Sequence, residues 1–226
     1  MTDPLWQTLW LTLQLAGATT AILLLLGTPI AWRLARSRSR LKPFAEALIA
    51  MPLVLPPSVL GYYLLVGFAP DSMIGGLWQG LFNQQLAFSF EALVIASVIY
   101  SAPFVIQPLI NSFQNISSET LKAAASLGCN GWQRFVFLAL PMAKTAMVSA
   151  AVMGFAHTVG EFGVVLMIGG NIPGETQVMS IALYQEVELL NYASANRYAG
   201  ILLGFSAVVL VAVYSLQARA RAKGMA

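Results

Sequence analysis

The 226-residue chain is 58% hydrophobic and only 9% charged, with a formal net charge of +3, and its mean hydropathy is +0.74. Soluble domains carry roughly 25% charged residues, so this composition excludes an ordinary soluble enzyme or nucleic-acid-binding protein and predicts an all-α integral membrane protein. No internal repeat or low-complexity linker divides the sequence. We therefore expect one transmembrane domain over residues 1–226, and the single Cys129 excludes an internal disulfide.

The first predicted transmembrane helix covers residues 9–32. It is almost wholly apolar and spans about 36 Å as a helix, which is enough to cross a bilayer core. A basic cluster follows it directly. Because positively charged loops stay on the cytoplasmic side, this cluster predicts an N-terminus outside and the first loop inside. The cluster consists of Arg33, Arg36, Arg38, Arg40 and Lys42.

The second predicted span, residues 44–68, is interrupted by the sequence PLVLPPS. Its three prolines remove backbone donors and obstruct the helical turn, so the helix is expected to break within the membrane. Freed carbonyls are tolerated there only where they face protein or a water-filled cavity. The break is therefore a candidate pathway wall or gate, and a kink that serves packing alone is the alternative. The residues concerned are Pro52, Pro56, Pro57 and Ser58.

An outer loop, residues 69–86, contains no Lys or Arg and leads into a third predicted span, residues 88–113. We expect this span to bend at Pro103 and Pro108. Polar side chains follow one another along it, and both pore lining and interhelical hydrogen bonding remain open as their role. They are Tyr100, Ser101, Gln107 and Asn111.

The 117–140 loop has the sequence signals of two short helices at an angle. Ser117 or Ser118 is a favourable N-cap, and Gly128 is suited to the left-handed residue that ends a helix. A second short run then places Trp132, Phe135 and Leu138 on one face before Pro141. Small residues in the first helix leave a flat surface on which another protein can pack closely. The loop is predicted to be a docking element.

A fourth predicted span, residues 141–165, starts with Pro141 at its first position and carries His157 and Glu161. The i, i+4 spacing predicts that both side chains share a helical face, and ionisable groups inside a membrane suggest function. A hydrogen-bonded structural pair or gate is favoured over a proton relay, because no further ionisable residues continue inward. A metal site is disfavoured because a third ligand is missing.

Residues 168–197 are predicted to form an outer loop containing a short amphipathic helix, either re-entrant or packed on the surface, and residues 198–216 form the fifth span. Arg219, Arg221 and Lys223 then place the C-terminus inside. On this topology only Arg197, of the 12 basic residues, lies outside. The outer segments are acidic, which suits docking of a soluble protein with basic patches. Their carboxylates are Asp3, Asp71, Glu91, Glu175, Glu186 and Glu188.

The 117–140 loop resembles the cytoplasmic loop of binding-protein-dependent ABC importer permeases, whose pattern is E-A-A-x3-G-x9-I-x-L-P. Two positions depart from it: Lys122 replaces the glutamate and Leu138 the isoleucine. Glu119, one turn earlier, is a candidate substitute for the missing carboxylate. The resemblance implies that this loop contacts an ATPase subunit. The matching positions are Lys122, Ala123, Ala124, Gly128, Leu138, Leu140 and Pro141.

Residues 51–65, 154–163 and 170–184 resemble the corresponding stretches of molybdate importer permeases, within the molybdate/sulfate branch, and NIPGET at Asn171–Thr176 is the most branch-specific piece. The resemblance implies a type I ABC importer permease fold with short cytoplasmic coupling helices, as a multi-pass protein of the bacterial inner membrane. It also implies a second copy of the chain, two ATPase subunits and a periplasmic or lipoprotein oxyanion-binding protein. Molybdate is the expected cargo, with tungstate or sulfate and thiosulfate as alternatives.

No P-loop motif G-x4-G-K-[ST] occurs in the sequence, so ATP and Mg²⁺ are expected to bind a partner ATPase and not this chain. We predict a transport subunit with no catalytic residues, no metal and no cofactor of its own. Two other classes stay open. A self-contained channel or secondary transporter would explain the broken helices but not the docking loop. An intramembrane serine protease is suggested faintly by Ser206, in GFSA, together with His157.

Overall fold

The computed structural model describes residues 4–222, without the side chains of residues 216, 217 and 219–222. Asp3 and Lys223, which the predicted topology uses, lie outside the described residues, and the side chains of Arg219 and Arg221 are likewise not described. All secondary structure in the described part is helical. The main helices are α1 Pro4–Arg36, α2 Lys42–Ala50, α3 Pro57–Phe68, α4 Met73–Phe82, α5 Phe90–Gln114, α6 Ser118–Ser126, α7 Gly131–Gln133, α8 Leu140–Met142, α9 Lys144–Gly160, α10 Gly163–Gly169, α11 Met179–Glu188 and α12 Tyr192–Ala222.

Three described helices are long and apolar enough to cross a membrane, namely α1, α5 and the Tyr192–Ser215 part of α12. Two bent helix pairs pass the same test of length and composition, so the described chain offers up to five spans. Each of the five candidates overlaps one predicted span, and the number of spans stays a prediction. The inside and outside assignment of the termini stays a prediction.

The predicted break in the second span is present. After α2 a short 3-10 turn covers Met51–Leu53, and α3 then starts at Pro57 with its axis turned by 107°. Pro56 is extended, with φ −55° and ψ 134°, as the following Pro57 favours, because a proline disfavours the helical region for the residue before it. The proline sequence therefore produces a sharp corner and not a gentle kink.

The fourth span differs from its prediction in two ways. Pro141 does not start it, because Pro141 lies inside the short helix α8 and α9 begins at Lys144 after a 74° bend. The helix also ends at Gly160 and not near residue 165, since Glu161 is extended with φ −71° and ψ 138°. A new helix, α10, follows from Gly163. The expectation of one continuous helix through Glu161 is therefore wrong.

The core lies where α1, α5 and α9 pack together. Two glycines allow this close approach: a Cβ added at Gly27 of α1 would lie 3.0 Å from the side chain of Ile106, and one at Gly154 of α9 would lie 2.5 Å from Val105. Small residues at such crossings are typical of membrane helix packing. By contrast, only 11% of the apolar window of α12 is buried inside the chain. This helix therefore presents most of its surface outward.

Two helices lie in the predicted outer loops, and of these only α4 was not predicted. Helix α4 forms within residues 69–86, with Ser72 capping its start and Asn83 in the left-handed conformation at its end. Helix α11 is the predicted short helix, and its first turn is buried in the bundle. The backbone N–H of Met179 donates to Oγ1 of Thr12 at 2.9 Å, which ties the start of α11 to α1.

Candidate functional site

The first half of the 117–140 loop folds as the sequence predicts. Ser117 caps α6 by accepting a hydrogen bond from the N–H of Glu119. At the other end Gly128 has φ +87°, and the N–H groups of Cys129 and Gly128 donate to the carbonyls of Ala124 and Ala125, each at 3.0 Å. This pair of bonds is a Schellman motif, which closes a helix around a left-handed residue.

The second half of the loop starts with its own cap. The side chain of Asn130 accepts from the N–H of Gln133 at 2.8 Å, and Gln133 accepts in return from the N–H of Asn130 at 2.9 Å. This reciprocal pair is a capping box. Since both helices are capped by residues of the loop itself, the corner between them is fixed without help from another chain.

The second helix does not stop before Pro141. It passes through a π-helical stretch, Arg134–Ala139, and continues into α8. The N–H of Leu140 donates to the carbonyl of Phe135, five residues back. Pro141 has no N–H to offer to the preceding turn, and a π-bulge is a common way of absorbing such an irregularity. The loop and the fourth span are therefore joined through a widened helical turn.

The surface of the 117–140 loop is open to a partner. Lys122, Ala123 and Gly128 are exposed, as is Pro141, whereas Ala124, Leu138 and Leu140 are half-buried. Neighbouring Leu127 is 85% exposed, which is high for a large apolar side chain. Lys122 forms no ion pair with any described residue. The exposed matched positions thus form an accessible surface that carries the unpaired cation of Lys122 and lies next to the exposed apolar side chain of Leu127.

An aromatic cluster anchors this loop to the membrane helices, and the sequence reasoning missed it. The rings of Trp32, Phe113 and Phe135 meet with centroid separations of 5.4 to 6.3 Å. The exposed ring of Trp132 lies 5.6 Å from that of Phe135. Of the three residues predicted to share a face, Phe135 is buried, Leu138 is half-buried and Trp132 is 69% exposed. The cluster joins α1, α5 and the loop.

Arg36, the last residue of α1, also connects α1 to the end of α5. Its Nη2 donates to the carbonyl of Phe113 at 2.6 Å and to that of Ile116 at 2.9 Å, and its guanidinium lies 5.1 Å from the ring centroid of Trp32. Those carbonyls belong to the end of α5, where helices leave acceptors unpaired. The sequence analysis counted Arg36 only as a cytoplasmic charge. Its aromatic neighbour one turn earlier was the available signal of a structural role.

A second site lies where α3 meets the break between α9 and α10. A cavity of about 490 Å³ is lined by Pro57 of α3, Tyr100 of α5, and residues of α9 and of the break that follows it. Of the predicted pathway residues it brings together Pro57, His157 and Glu161. Pro52 is buried outside the lining, and Pro56 and Ser58 are exposed outside it. The cavity lining is Pro57, Tyr100, Ala156, His157, Gly160, Glu161, Phe162 and Gly163.

His157 and Glu161 do not form the pair that helical spacing predicted. Because α9 ends at Gly160, Glu161 leaves the helical face, and each side chain bonds to a different serine of α5. Nδ1 of His157 lies 2.9 Å from Oγ of Ser101, whereas Oε2 of Glu161 accepts from Ser97 at 3.4 Å. The interhelical role proposed for Ser101 is thus present.

Glu161 is only 4% exposed. Its backbone carbonyl accepts from Oγ of Ser180, which ties the break to α11. Its Oε1 has no hydrogen-bond partner among the described residues. The imidazole of His157 stacks on Phe104 at 3.8 Å and lies 5.0 Å from the ring of Tyr100. The cavity therefore combines a buried carboxyl with an imidazole that packs against two aromatic rings.

The break is held against α3 by close packing. A Cβ added at Gly163 would lie 2.7 Å from Cβ of Pro57, and one at Gly61 would lie 2.8 Å from Cβ of Met167. Because neither glycine has a side chain, the Cβ atoms of Pro57 and Met167 can approach the glycine backbones closely. Gly163 in GEFG was the sequence signal for the first of these contacts.

The outer NIPGET stretch is a hydrogen-bonded turn. Oγ1 of Thr176 donates to the carbonyl of Gly169 at 2.6 Å and accepts from the N–H of Ile172 at 2.9 Å. The amide of Gln177 donates to Asn171 at 2.9 Å, and Asn171 donates to Gln185 of α11 at 3.1 Å. This network fixes the loop that joins α10 to α11.

Neither enzyme-like arrangement is found in the described residues. Oγ of Ser206 donates to the carbonyl of Leu202 in its own helix at 2.8 Å, while His157 is engaged with Ser101. The suggested nucleophile and base are therefore not paired. No group of three or more His, Cys, Asp or Glu side chains suited to a metal ion lies together in residues 4–222.

Residues 24–226 match the family described as the binding-protein-dependent transport system inner membrane component. The chain belongs to this family of transport permeases. It is 52% identical over 205 residues to the molybdenum transport system permease protein ModB of Azotobacter vinelandii, an alignment that covers 91% of each chain. It is 31% identical over 188 residues to ModB of Escherichia coli strain K12, covering 83% of this permease and 82% of the relative. The sulfate transport system permease protein CysT of the same strain is 30% identical over 193 residues, which are 85% of this permease and 69% of CysT.

Solved structures share the fold of this permease. A chain of a bacterial ABC transporter involved in the import of the acidic polysaccharide alginate superposes with a TM-score of 0.74 at 15% identity, covering 98% of this permease and 80% of that chain. A chain of the MetNI methionine ABC transporter in an inward-facing conformation gives 0.72 at 18% identity, covering 96% and 99%. The predicted resemblance to ABC importer permeases is confirmed at the level of family and fold.

Proposed function

We propose that this chain is the transmembrane permease subunit of an ATP-driven importer that translocates molybdate, with tungstate as a second cargo. In this proposal it sits in the bacterial cytoplasmic membrane, pairs with a second copy of itself, and receives oxyanion from a soluble or lipid-anchored binding protein. A separate ATPase subunit hydrolyses ATP. The single observation that carries the proposal is the 52% identity to the Azotobacter vinelandii molybdenum permease along 91% of the chain.

Coupling to the ATPase is assigned to the 117–140 loop. Its internally capped corner supports this role, because a pre-formed shape binds without first being ordered. The exposed side chains of Lys122 and Leu127 supply one cation and one apolar contact. Movement imposed on the loop reaches α1 and α5 through the ring cluster around Phe135. We assign two ATPase subunits, one for each copy of the loop.

The transport cycle that we propose is alternating access. ATP closes the two ATPase subunits, each subunit carries one 117–140 loop inward, and α5 and α9 of the two copies separate at the outer face. The cavity between the broken spans lies beside this route. No Lys or Arg lines it in the described structure, so it offers no fixed cation that would retain a divalent oxyanion. Weak binding allows the cargo to leave.

The binding protein is proposed to dock on the acidic outer side. A cavity of about 540 Å³ opens there, and its lining includes three glutamine amides, the hydroxyl of Ser89 and the carboxylates of Glu91 and Glu175. Glutamate side chains on this face favour a partner with basic patches over a free anion, because they repel the anion itself. Surface for the second copy is available on α3, where Tyr62 and Tyr63 are 54% and 67% exposed.

The test is reconstitution of the chain in liposomes with its co-expressed ATPase, measuring ATP hydrolysis with and without loaded binding protein. Molybdate, tungstate and sulfate are supplied in turn, and empty binding protein is the control. We expect stimulation of hydrolysis and uptake with molybdate and with tungstate. Stimulation by sulfate alone would keep the importer and replace the cargo, in line with the 30% identity to CysT. Conduction by the chain without any ATPase would refute the coupling assignment.

A further inference from the structure

The cavity between the broken spans holds a buried carboxyl that transport of an oxyanion does not explain. Glu161 is 4% exposed, and its Oε1 is without a hydrogen-bond partner among the described residues. Its other oxygen has only one long contact, 3.4 Å from Oγ of Ser97. A buried polar atom normally has a partner. Glu161 also lines a cavity of about 490 Å³, and a buried, unpaired carboxyl oxygen next to this cavity points to something that the carboxyl binds.

The hydrogen bonds around His157 determine which of its two ring nitrogens is a free acceptor. Oγ1 of Thr158 donates its only proton to the carbonyl of Gly154 at 2.9 Å. In its 3.0 Å contact with Ser101 it must then accept, so Ser101 donates there. Ser101 has one proton as well, and therefore its 2.9 Å contact with His157 is a bond donated by Nδ1. In the neutral ring Nε2 is left as an acceptor.

The titratable groups around Glu161 are few. From α5 it faces Tyr100, from α9 it faces His157, and from α11 the ring of Tyr184 packs against neighbouring Phe162 at 4.9 Å. Helix α3 contributes Pro57, and α10 contributes Gly163. No Lys, Arg or Asp lines the cavity in the described structure. The acceptors Oε1 and Nε2 are thus not balanced by any cation in the described cavity lining, and the species that they suit is a proton.

We propose that Glu161 is a proton-binding site beside the transport route. A proton taken from water in the cavity forms an O–H bond on Oε1 while an oxyanion passes, and this bond breaks when the proton returns to water afterwards. The neutral carboxyl then replaces a carboxylate that would repel a dianion at close range in a medium of low dielectric constant. Nε2 of His157 is the acceptor available in the same cavity for the new O–H. This inference rests on the proposed oxyanion import.

The experiment measures molybdate uptake by the complete complex in proteoliposomes between about pH 6 and about pH 8.5, the range that brackets neutral pH. Uptake by the wild type is expected to fall as the pH rises, with a slope of up to about tenfold per pH unit for one proton. Glu161→Gln carries a permanently neutral amide of the same shape. It should keep uptake near the low-pH rate of the wild type and lose the pH dependence.

Glu46→Gln is the matched control, because Glu46 lies on α2 and pairs only with Lys42, at 3.8 Å. Its pH profile should match that of the wild type. Glu161→Asp keeps a titratable group and should keep a pH-dependent profile. ATP hydrolysis is recorded at each pH, and uptake is expressed relative to it, so that a pH effect on the ATPase itself is removed.

A direct readout is independent of transport. Infrared difference spectra of the wild-type complex at low and high pH should contain the C=O band of a protonated carboxylic acid, and Glu161→Gln should lose it. A flat wild-type uptake profile, or an unchanged slope in Glu161→Gln, would overturn the proton site while leaving the importer intact. Absence of uptake at every pH, with a loaded binding protein and an active ATPase, would instead overturn the proposed function itself.

Discussion

Gly128 shows how one backbone conformation defines the shape of the docking surface. Its φ of +87° lies in the left-handed region, which costs a residue with a Cβ roughly 1–2 kcal/mol and a β-branched one more. No atom lies within 4 Å of the position that its Cβ would take. The requirement for glycine therefore comes from the backbone alone and not from packing.

Gly128→Val is expected to abolish ATP-driven uptake while leaving membrane insertion intact, because the valine forces the corner between α6 and α7 to open. Uptake and the amount of chain in purified membranes are the two measurements. Gly131→Ala is the control, since Gly131 also has no atom within 4 Å of an added Cβ but does not have a positive φ. Normal uptake by Gly128→Val would contradict the coupling role of the loop.

Arg36→Gln should destabilise the protein, because the carbonyls of Phe113 and Ile116 lose a shared charged donor. Loss of a hydrogen bond from a charged group costs about 1–3 kcal/mol. Thermal unfolding in detergent measures the effect. Arg40→Gln, at an exposed position of the same basic cluster, should change the unfolding temperature little. Equal effects of the two substitutions would mean that Arg36 contributes only its charge.

At the scale of helices, two helical segments of the chain are interrupted, and the two interruptions lie next to each other. Helix α3 begins after a 107° corner, and α9 ends beside it at Gly160. Glycines of α3 and α10 remove the side chains that would separate the two breaks. A cavity that brings Tyr100, His157 and Glu161 together lies between the two interruptions, where freed backbone groups can face protein and not lipid. The site therefore depends on both breaks, because residues next to each of them line the cavity.

Gly163→Ala should weaken the contact between α10 and α3, because its Cβ would lie 2.7 Å from that of Pro57. Overpacking of this kind costs about 1–3 kcal/mol. We expect a lower unfolding temperature and impaired uptake. Gly160→Ala is a close control, since it borders the same cavity but has no atom within 4 Å of an added Cβ. If Gly160→Ala were the more damaging change, the close packing at Gly163 would not be what holds the break.

The parts of the fold that the sequence predicted are those governed by local rules. The cap at Ser117, the glycine stop at Gly128 and the corner before Pro57 follow from neighbouring residues alone. The end of α9 at Gly160 could not be derived in this way, because no proline marks it and Glu161 is tied to α5 and α11 through distant serines. The hydrogen bonds of Arg36 could not be predicted for a similar reason, because in the sequence Arg36 is one of five basic residues in a cluster.

At the scale of the whole molecule, charge and apolar surface divide the chain into two faces. The 117–140 loop and the first basic cluster belong to one predicted side, and the acidic outer loops to the other. Between them α12 contributes little buried surface, with Leu203 and Val211 at 74% and 69% exposure. Such a helix belongs next to lipid or another subunit. The arrangement is consistent with membership in an inner membrane transport family.

The topology can be tested by single cysteines in a Cys129→Ala background. Ser39→Cys should be labelled by a membrane-impermeant thiol reagent only when the cytoplasmic side is accessible, because Ser39 lies in the basic loop after α1. Asp71→Cys, between α3 and α4, should be labelled from the opposite side. Both positions are outside the transport cavity, so uptake serves as the check on folding. Labelling of the two cysteines from one side would disprove the predicted orientation.

Lys122→Glu introduces the residue that is usual in the importer loop. Because Lys122 is exposed and unpaired in the described structure, its replacement should change the free energy of unfolding by no more than about 0.5 kcal/mol. Binding to the cognate ATPase should weaken through the reversed charge, as measured by co-purification and by coupled hydrolysis. Tighter binding would indicate that the ATPase presents a basic contact, and that Lys122 is tolerated despite it.

The back-to-back caps in the 117–140 loop also bear on how force is transmitted. The Schellman bonds at Gly128 and the reciprocal bonds of Asn130 and Gln133 hold the backbone on both sides of the corner. A corner held in this way is expected to move as one rigid body when a partner displaces the loop. If the proposed coupling holds, a more flexible corner would bend when the ATPase moves the loop, so the rigidity of these few residues would determine how much of that movement reaches α1 and α5.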